Sequence, residues 1–137
     1  MKQIDIRFNE LVVDKSYGNQ IFRVWFVVEN ERCKVLDSLE NIPKNKHDKI
    51  VDIISKMATL HNFKNPSLKR NLKGYGFGEV KPWGHRFFFF IKMGNNIVFF
   101  DYYKKNVDSL GDKIYKNIDQ KRRKYEEEFI KYFRQNQ

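Results

Sequence analysis

The stretch Tyr75–Asn106, YGFGEVKPWGHRFFFFIKMGNNIVFFDYYKKN, decides how this chain folds. It reads as three short strands. The first ends at Val80 or Lys81, and Pro82-Trp83-Gly84 turns the chain. The second runs from about His85 to Lys92, and Gly94-Asn95-Asn96 turns it again into a third, from about Ile97 to Lys104. Gly and Asn tolerate the positive φ that tight hairpins need. On the middle strand Phe87, Phe89 and Ile91 face one way, and Phe88 and Phe90 the other. A strand apolar on both faces is expected to be central and covered on both sides. Polar groups gather at the strand ends: Glu79 and Lys81, His85 and Arg86, then Asp101, Tyr102, Tyr103, Lys104 and Lys105. A meander brings alternate strand ends together, which makes this edge the candidate site.

On the N-terminal side, Ile4-Asp5-Ile6-Arg7-Phe8 alternates apolar and polar residues as a half-buried strand does. After a turn around Tyr17-Gly18-Asn19-Gln20, Phe22, Val24, Phe26 and Val28 alternate with Arg23 and Trp25 in a second strand. The spacing of Val35, Leu36 and Leu39 predicts a short helix from Arg32 to Leu39, which includes Cys33 as a small core filler. Pro43 interrupts it and can begin the next helix. That helix, from Asn45 to His61, carries the stripe Ile50, Ile53, Ile54 and Met57, with Lys46, Lys49, Asp52 and Lys56 on the wet side. The two form a helical hairpin able to cover one face of the sheet. The segment 62–73, NFKNPSLKRNLK, has no periodicity and reads as a basic surface loop. Its Lys69, Arg70 and Lys73 are either a solvated connector or a phosphate-contacting arm. Beyond the meander, Asp108 or Ser109 caps a final helix to about Arg134, with Leu110, Ile114, Ile118, Tyr125, Phe129 and Phe133 as its buried stripe. The run Lys121 to Lys124, followed by Glu126 to Glu128, reads as a solvated helix face rather than a binding site.

The expected architecture is therefore α+β: a small antiparallel sheet, made of an N-terminal strand and a three-stranded meander, packed against a helical hairpin and a C-terminal helix. Its 137 residues suit a single domain, 1–137, with one core. With 27 Lys+Arg against 17 Asp+Glu, the net charge of +10 favours polyanionic partners, nucleic acid above all. Aromatic residues make up 16% of the chain and suit base stacking where they lie among cations, although most of the phenylalanines read as core. One cysteine cannot make an intramolecular disulfide. That, the absence of a signal peptide at Met1, and the lack of an apolar run near the roughly 20 residues a bilayer span needs, predict a cytoplasmic protein.

Chemistry narrows next. There is no Gly-rich phosphate loop, no Cys pair for zinc and no nucleophile elbow, and His47, His61 and His85 lack metal-ligand spacing. No metal and no small-molecule cofactor is expected. Metal-free RNA cleavage stays open, because the substrate brings its own nucleophile, the 2′-OH. The protein has only to deprotonate it, stabilise charge on the phosphoryl oxygens and protonate the leaving 5′-oxygen. Arg binds phosphate bidentately, and a Lys crowded by cations has a lowered pKa. Lys81, Arg86 and Lys105 suit those needs, although by pattern alone they read as ordinary exposed strand-end cations.

From about Phe22 to Tyr125 the order of elements and several local words resemble the RelE/HigB superfamily of bacterial and phage toxins, in its phage-derived HigB-like branch. VLDSLENIPKNKHDKIVDIISKM is similar to its F-L-x-x-L-P-x-x-x-x-x-K-I pattern, and Gly78-Glu79-Val80-Lys81 to its Y-E-L-R/K strand. His85-Arg86-Phe87-Phe88-Phe89-Phe90 resembles its x-R-I-L-Y-x strand, and Phe100 to Asn106 its H-x-F-x-K-K-T/S ending, with Phe100 where many members have His. The resemblance implies a RelE-like fold and a toxin of a toxin–antitoxin system: an mRNA endoribonuclease that inhibits translation by cutting translated message. It implies catalytic roles for Lys81 as base or phosphate clamp, Arg86 on the phosphate, Lys105 as charge stabiliser or acid, and Tyr103 in stacking or proton transfer. Lys73, Glu79, His85, Asp101, Tyr102 and Lys104 would contact RNA around them. The implied partners are mRNA, the ribosome through ribosomal RNA, and a cognate antitoxin protein, with no membrane involved. The alternative is a non-catalytic protein on the same scaffold, a ParE-like gyrase inhibitor or an RNA- or partner-binding module of phage or mobile-element origin.

Overall fold

The computed structural model describes residues 4–13, 16–70, 72, 74–104 and 111–136. Six strands form one mixed sheet: β1 (Ile6–Leu11), β2 (Arg23–Glu29), β3 (Leu68–Lys69), β4 (Gly78–Val80), β5 (His85–Lys92) and β6 (Asn96–Lys104), in the order β1-β2-β6-β5-β4-β3. Three helices accompany it: α1 (Lys34–Glu40), α2 (Lys44–Thr59) and the long C-terminal α3 (Asp112–Gln135). The fold is α+β. Among the described residues, no helix is long and apolar enough to cross a membrane.

The meander β4-β5-β6 is antiparallel throughout, as its turn residues predict. The expectation of a small, wholly antiparallel sheet is corrected at β2, which pairs with β6 in parallel, Val24 with Ile97 and Phe26 with Phe99. The reason is visible in β2 itself. Val24, Trp25, Phe26 and Val27 are all buried, so the strand is apolar on both faces and belongs inside a sheet rather than at its edge. β1 takes the edge instead, antiparallel to β2. The segment 62–73, expected to be all loop, contributes β3 at the opposite edge.

Both faces are covered. One carries Val24, Phe26, Phe87, Phe89, Ile97 and Phe99 against Val35 and Leu39 of α1 and the Ile50, Ile53, Ile54 and Met57 stripe of α2. The other carries Trp25, Val27, Phe88, Phe90, Val98 and Phe100 against Ile118, Tyr125 and Phe129 of α3. Ile91, expected to join the first face, lies exposed near the β5–β6 turn. Cys33 precedes α1 at its N-cap position, half-buried against the first cluster. α3 is capped at Gly111 without a side-chain hydrogen bond, and the expected caps Asp108 and Ser109, like Leu110, lie outside the described residues.

Gly78 lets β3 reach β4. A Cβ there would lie 2.4 Å from the Arg70 carbonyl oxygen, 2.5 Å from that of Lys69 and 2.7 Å from the Phe89 ring. Two of these neighbours are backbone and cannot swing aside. Gly78→Ala is therefore expected to cost about 1–3 kcal/mol in urea denaturation, as overpacking does, and to push the β3 edge away. An unchanged midpoint would show that β3 is not held this closely.

Candidate functional site

The polar ends of β4, β5 and β6 meet at one end of the sheet, but strand alternation divides them between its two faces. On the α3 side stand Glu79, Arg86 and Tyr103. Glu79 is opposite Phe88 and Arg86 opposite Tyr103, and directly opposed residues share a face. The same β4–β5 register, continued two residues past Glu79, sets Lys81 across from Arg86. At the edge, Lys69 of β3 pairs with Glu79. Three cations, Lys69, Lys81 and Arg86, thus stand around Glu79, with Arg86 in ion pair with its carboxylate.

The floor of this cluster is dry. Glu79 is 0% and Arg86 2% exposed, and Arg86 Nη1 donates to both Glu79 carboxylate oxygens at 3.3 Å. Lys81 stands higher and half-buried, its backbone N–H donating to the Ser67 carbonyl at 2.6 Å. Burial, then the Lys69 ammonium beside it, hold the Lys81 amine below the usual lysine range. Arg86 pushes the same way and Glu79 opposes. Tyr103 closes the row and is 39% exposed.

The α2 side is a second, smaller arrangement. His85 Nδ1 and the Tyr102 hydroxyl share a hydrogen bond of 2.7 Å, and their rings stack. Burial, then Lys104 and Lys46, lower the His85 pKa from 6.5 and favour the neutral imidazole. Burial raises the Tyr102 pKa. Lys104, exposed, pairs across the ladder with His85.

Asp101 belongs to neither group. Its Oδ1 accepts from Lys34 Nζ at 2.7 Å and from the Tyr102 backbone N–H at 2.9 Å, and its Oδ2 accepts from Lys121 at 3.2 Å. It fastens α1 and α3 to β6, and its charge is neutralised there. Lys121, expected on a solvated helix face, takes part in this clamp.

Of the predicted site residues, Lys81, Arg86, Tyr103 and Glu79 are brought together, and His85, Tyr102 and Lys104 are gathered on the reverse face. Lys73 and Lys105 lie outside the described residues. Lys69, expected in a basic loop that is either a solvated connector or a phosphate-contacting arm, lies in β3 close enough to Lys81 to lower its pKa. Nothing in the spacing of residues 69 and 81 shows this; Gly78, which admits the β3 backbone, was the available signal. Among the described residues, no three His, Cys, Asp or Glu side chains are grouped as metal ligands. The chain matches no protein-family model, no curated protein and no solved structure.

Proposed function

We propose that this chain is a metal-independent endoribonuclease of the RelE/HigB kind, which cuts mRNA through its own 2′-OH. One observation carries the reading: Lys69, Lys81 and Arg86, from three different strands or strand ends, are gathered around Glu79 at one end of the sheet, with Arg86 ion-paired to it. The succession of β2, the α1–α2 hairpin, the β4-β5-β6 meander and α3 agrees with the element order that the sequence resemblance implies.

In this reading the Lys81 amine, in its neutral form, takes the 2′-OH proton. The 2′-oxygen attacks the adjacent phosphorus, the P–O5′ bond breaks, and a 2′,3′-cyclic phosphate and a 5′-hydroxyl result. Arg86 exchanges Glu79 for the phosphoryl oxygens, whose charge Lys69 also offsets. Tyr103, opposite Arg86, delivers the proton to the leaving 5′-oxygen. A cognate antitoxin would silence the protein by covering this basic end, and ribosomal RNA would hold it on translating ribosomes with salt-sensitive affinity.

The test is induced expression of the native chain beside Lys81→Ala and Arg86→Ala, with the ends of cellular mRNA mapped. Growth arrest with 2′,3′-cyclic phosphate ends, lost in both variants, is the expected result. A native chain that neither arrests growth nor cuts message ends the enzymatic reading. A second reading is favoured by the burial of Arg86 against Glu79: a non-catalytic binder of the same ancestry, as in the ParE-like gyrase inhibitors. DNA damage on induction with message left whole would identify it.

A further inference from the structure

The turn joining β4 to β5 contains a residue that local geometry does not favour. Trp83 has φ 52° and ψ 37°, and Gly84 follows with φ 79°. Two successive left-handed residues make the kind of turn that Asn-Gly forms without strain. A bulky side chain in that conformation is strained and is found where the surroundings or a function require it. Trp83 does not repay the cost by burial, since 47% of it is exposed. The other tryptophan, Trp25, is buried and donates its Nε1–H to Asn96 Oδ1.

What surrounds the exposed indole is cationic. The Lys46 and Lys49 ammonium groups of α2 lie 5.7 and 5.6 Å from the ring centroid. Beside it opens a groove of about 460 Å³, walled by Lys49, Asn65, Ser67, Pro82 and Trp83. The one acidic wall residue, Asp52, is engaged with Lys56 and the Tyr17 hydroxyl. The turn also lies between the two halves of the candidate site, with Lys81 two residues before Trp83 and His85 two residues after it.

We propose that Trp83 is a stacking platform for one base of a single-stranded RNA, whose flanking phosphates are held by Lys46 and Lys49. An aromatic ring with two ammonium groups over it matches a nucleotide in both chemistry and charge, and the groove wall includes Ser67, whose carbonyl accepts from the Lys81 backbone N–H. The substrate class rests on the proposed function, but the platform is a binding claim separable from cleavage.

The test uses a fully 2′-O-methylated RNA oligonucleotide, which cannot be cut by 2′-OH attack. It is titrated into the native chain, Trp83→Gly, Trp83→Phe and the double variant Lys46→Gln/Lys49→Gln, with heparin as a polyanion lacking bases. The native chain should bind the RNA with quenching of the exposed indole. Trp83→Gly should weaken RNA binding roughly five- to hundred-fold, the loss of one base stack, while keeping heparin affinity and its resistance to urea. Trp83→Phe should recover most of the RNA affinity, and the double lysine variant should weaken both ligands. Equal RNA affinity in Trp83→Gly, or equal losses toward RNA and heparin, would overturn the platform even in a chain that cleaves RNA. A chain that binds as described but never cuts keeps the platform and loses the nuclease.

Discussion

Glu79→Leu is expected to lower the unfolding free energy by about 3–5 kcal/mol, the usual cost of removing one partner of a buried ion pair. Arg86 is almost wholly enclosed, and its Nη1 donates to both Glu79 oxygens, so the variant removes a buried carboxylate that Arg86 is bonded to. Arg86→Met removes the ion-paired guanidinium but leaves Lys69 and Lys81 near the carboxylate, and should cost somewhat less. The double variant Glu79→Leu/Arg86→Met removes both charges, and a well-packed apolar pair should restore most of the loss. Urea denaturation of the four proteins closes the cycle. Single variants that each cost below about 1 kcal/mol would mean that the pair is reached by water and does not organise this end of the sheet. The cycle also separates folding from activity: the double variant should be stable and inert toward RNA, because Arg86 is the group proposed to receive the phosphate.

The local words of the sequence made the meander legible, and the reasons are specific. Phe87 to Phe90 is apolar on both faces, which forces a central strand, and the β5 boundaries His85 and Lys92 follow from the turns on either side. The Ile50, Ile53, Ile54 and Met57 stripe reports α2 equally directly. The division of the site between two faces could not be read in advance. Between Phe88 and Phe89 the register with β6 shifts, since Phe88 is opposite Asp101 while Phe89 is opposite Phe99. One residue of β6, Phe100, is therefore extra, a bulge that reverses the alternation beyond it. Plain alternation from Phe99 would place Tyr103 on the α2 side and Tyr102 on the α3 side. The bulge exchanges them, so Tyr103 joins Arg86 and Tyr102 joins His85. Phe100 looks like any other strand residue, and its effect exists only in the pairing. Lys69 was hidden for a related reason, as its place depends on a two-residue strand held by contacts distant in sequence.

Lys81→Met is expected to slow RNA cleavage by about 10²- to 10⁴-fold, the range for a lost general base, with little change in the urea midpoint because the side chain is only partly enclosed. The stronger evidence lies in the pH profile. A base acts in its unprotonated form, so the rate should rise with pH through the Lys81 pKa and level off above it. That pKa lies below the usual lysine value of 10.5, first through burial and then through Lys69. Lys69→Met takes away one lowering influence while keeping the side chain's bulk. The pKa rises, less neutral amine exists at neutral pH, and the ascending limb moves to higher pH. Glu79→Gln removes the one influence that raises the Lys81 pKa, so its limb should move to lower pH. Two neighbours of opposite charge therefore shift one profile in opposite directions, which a loss of folded protein cannot imitate. If the limb stays in place in Lys69→Met, or survives in Lys81→Met, the proton is taken by another group and Lys81 is at most a phosphate clamp.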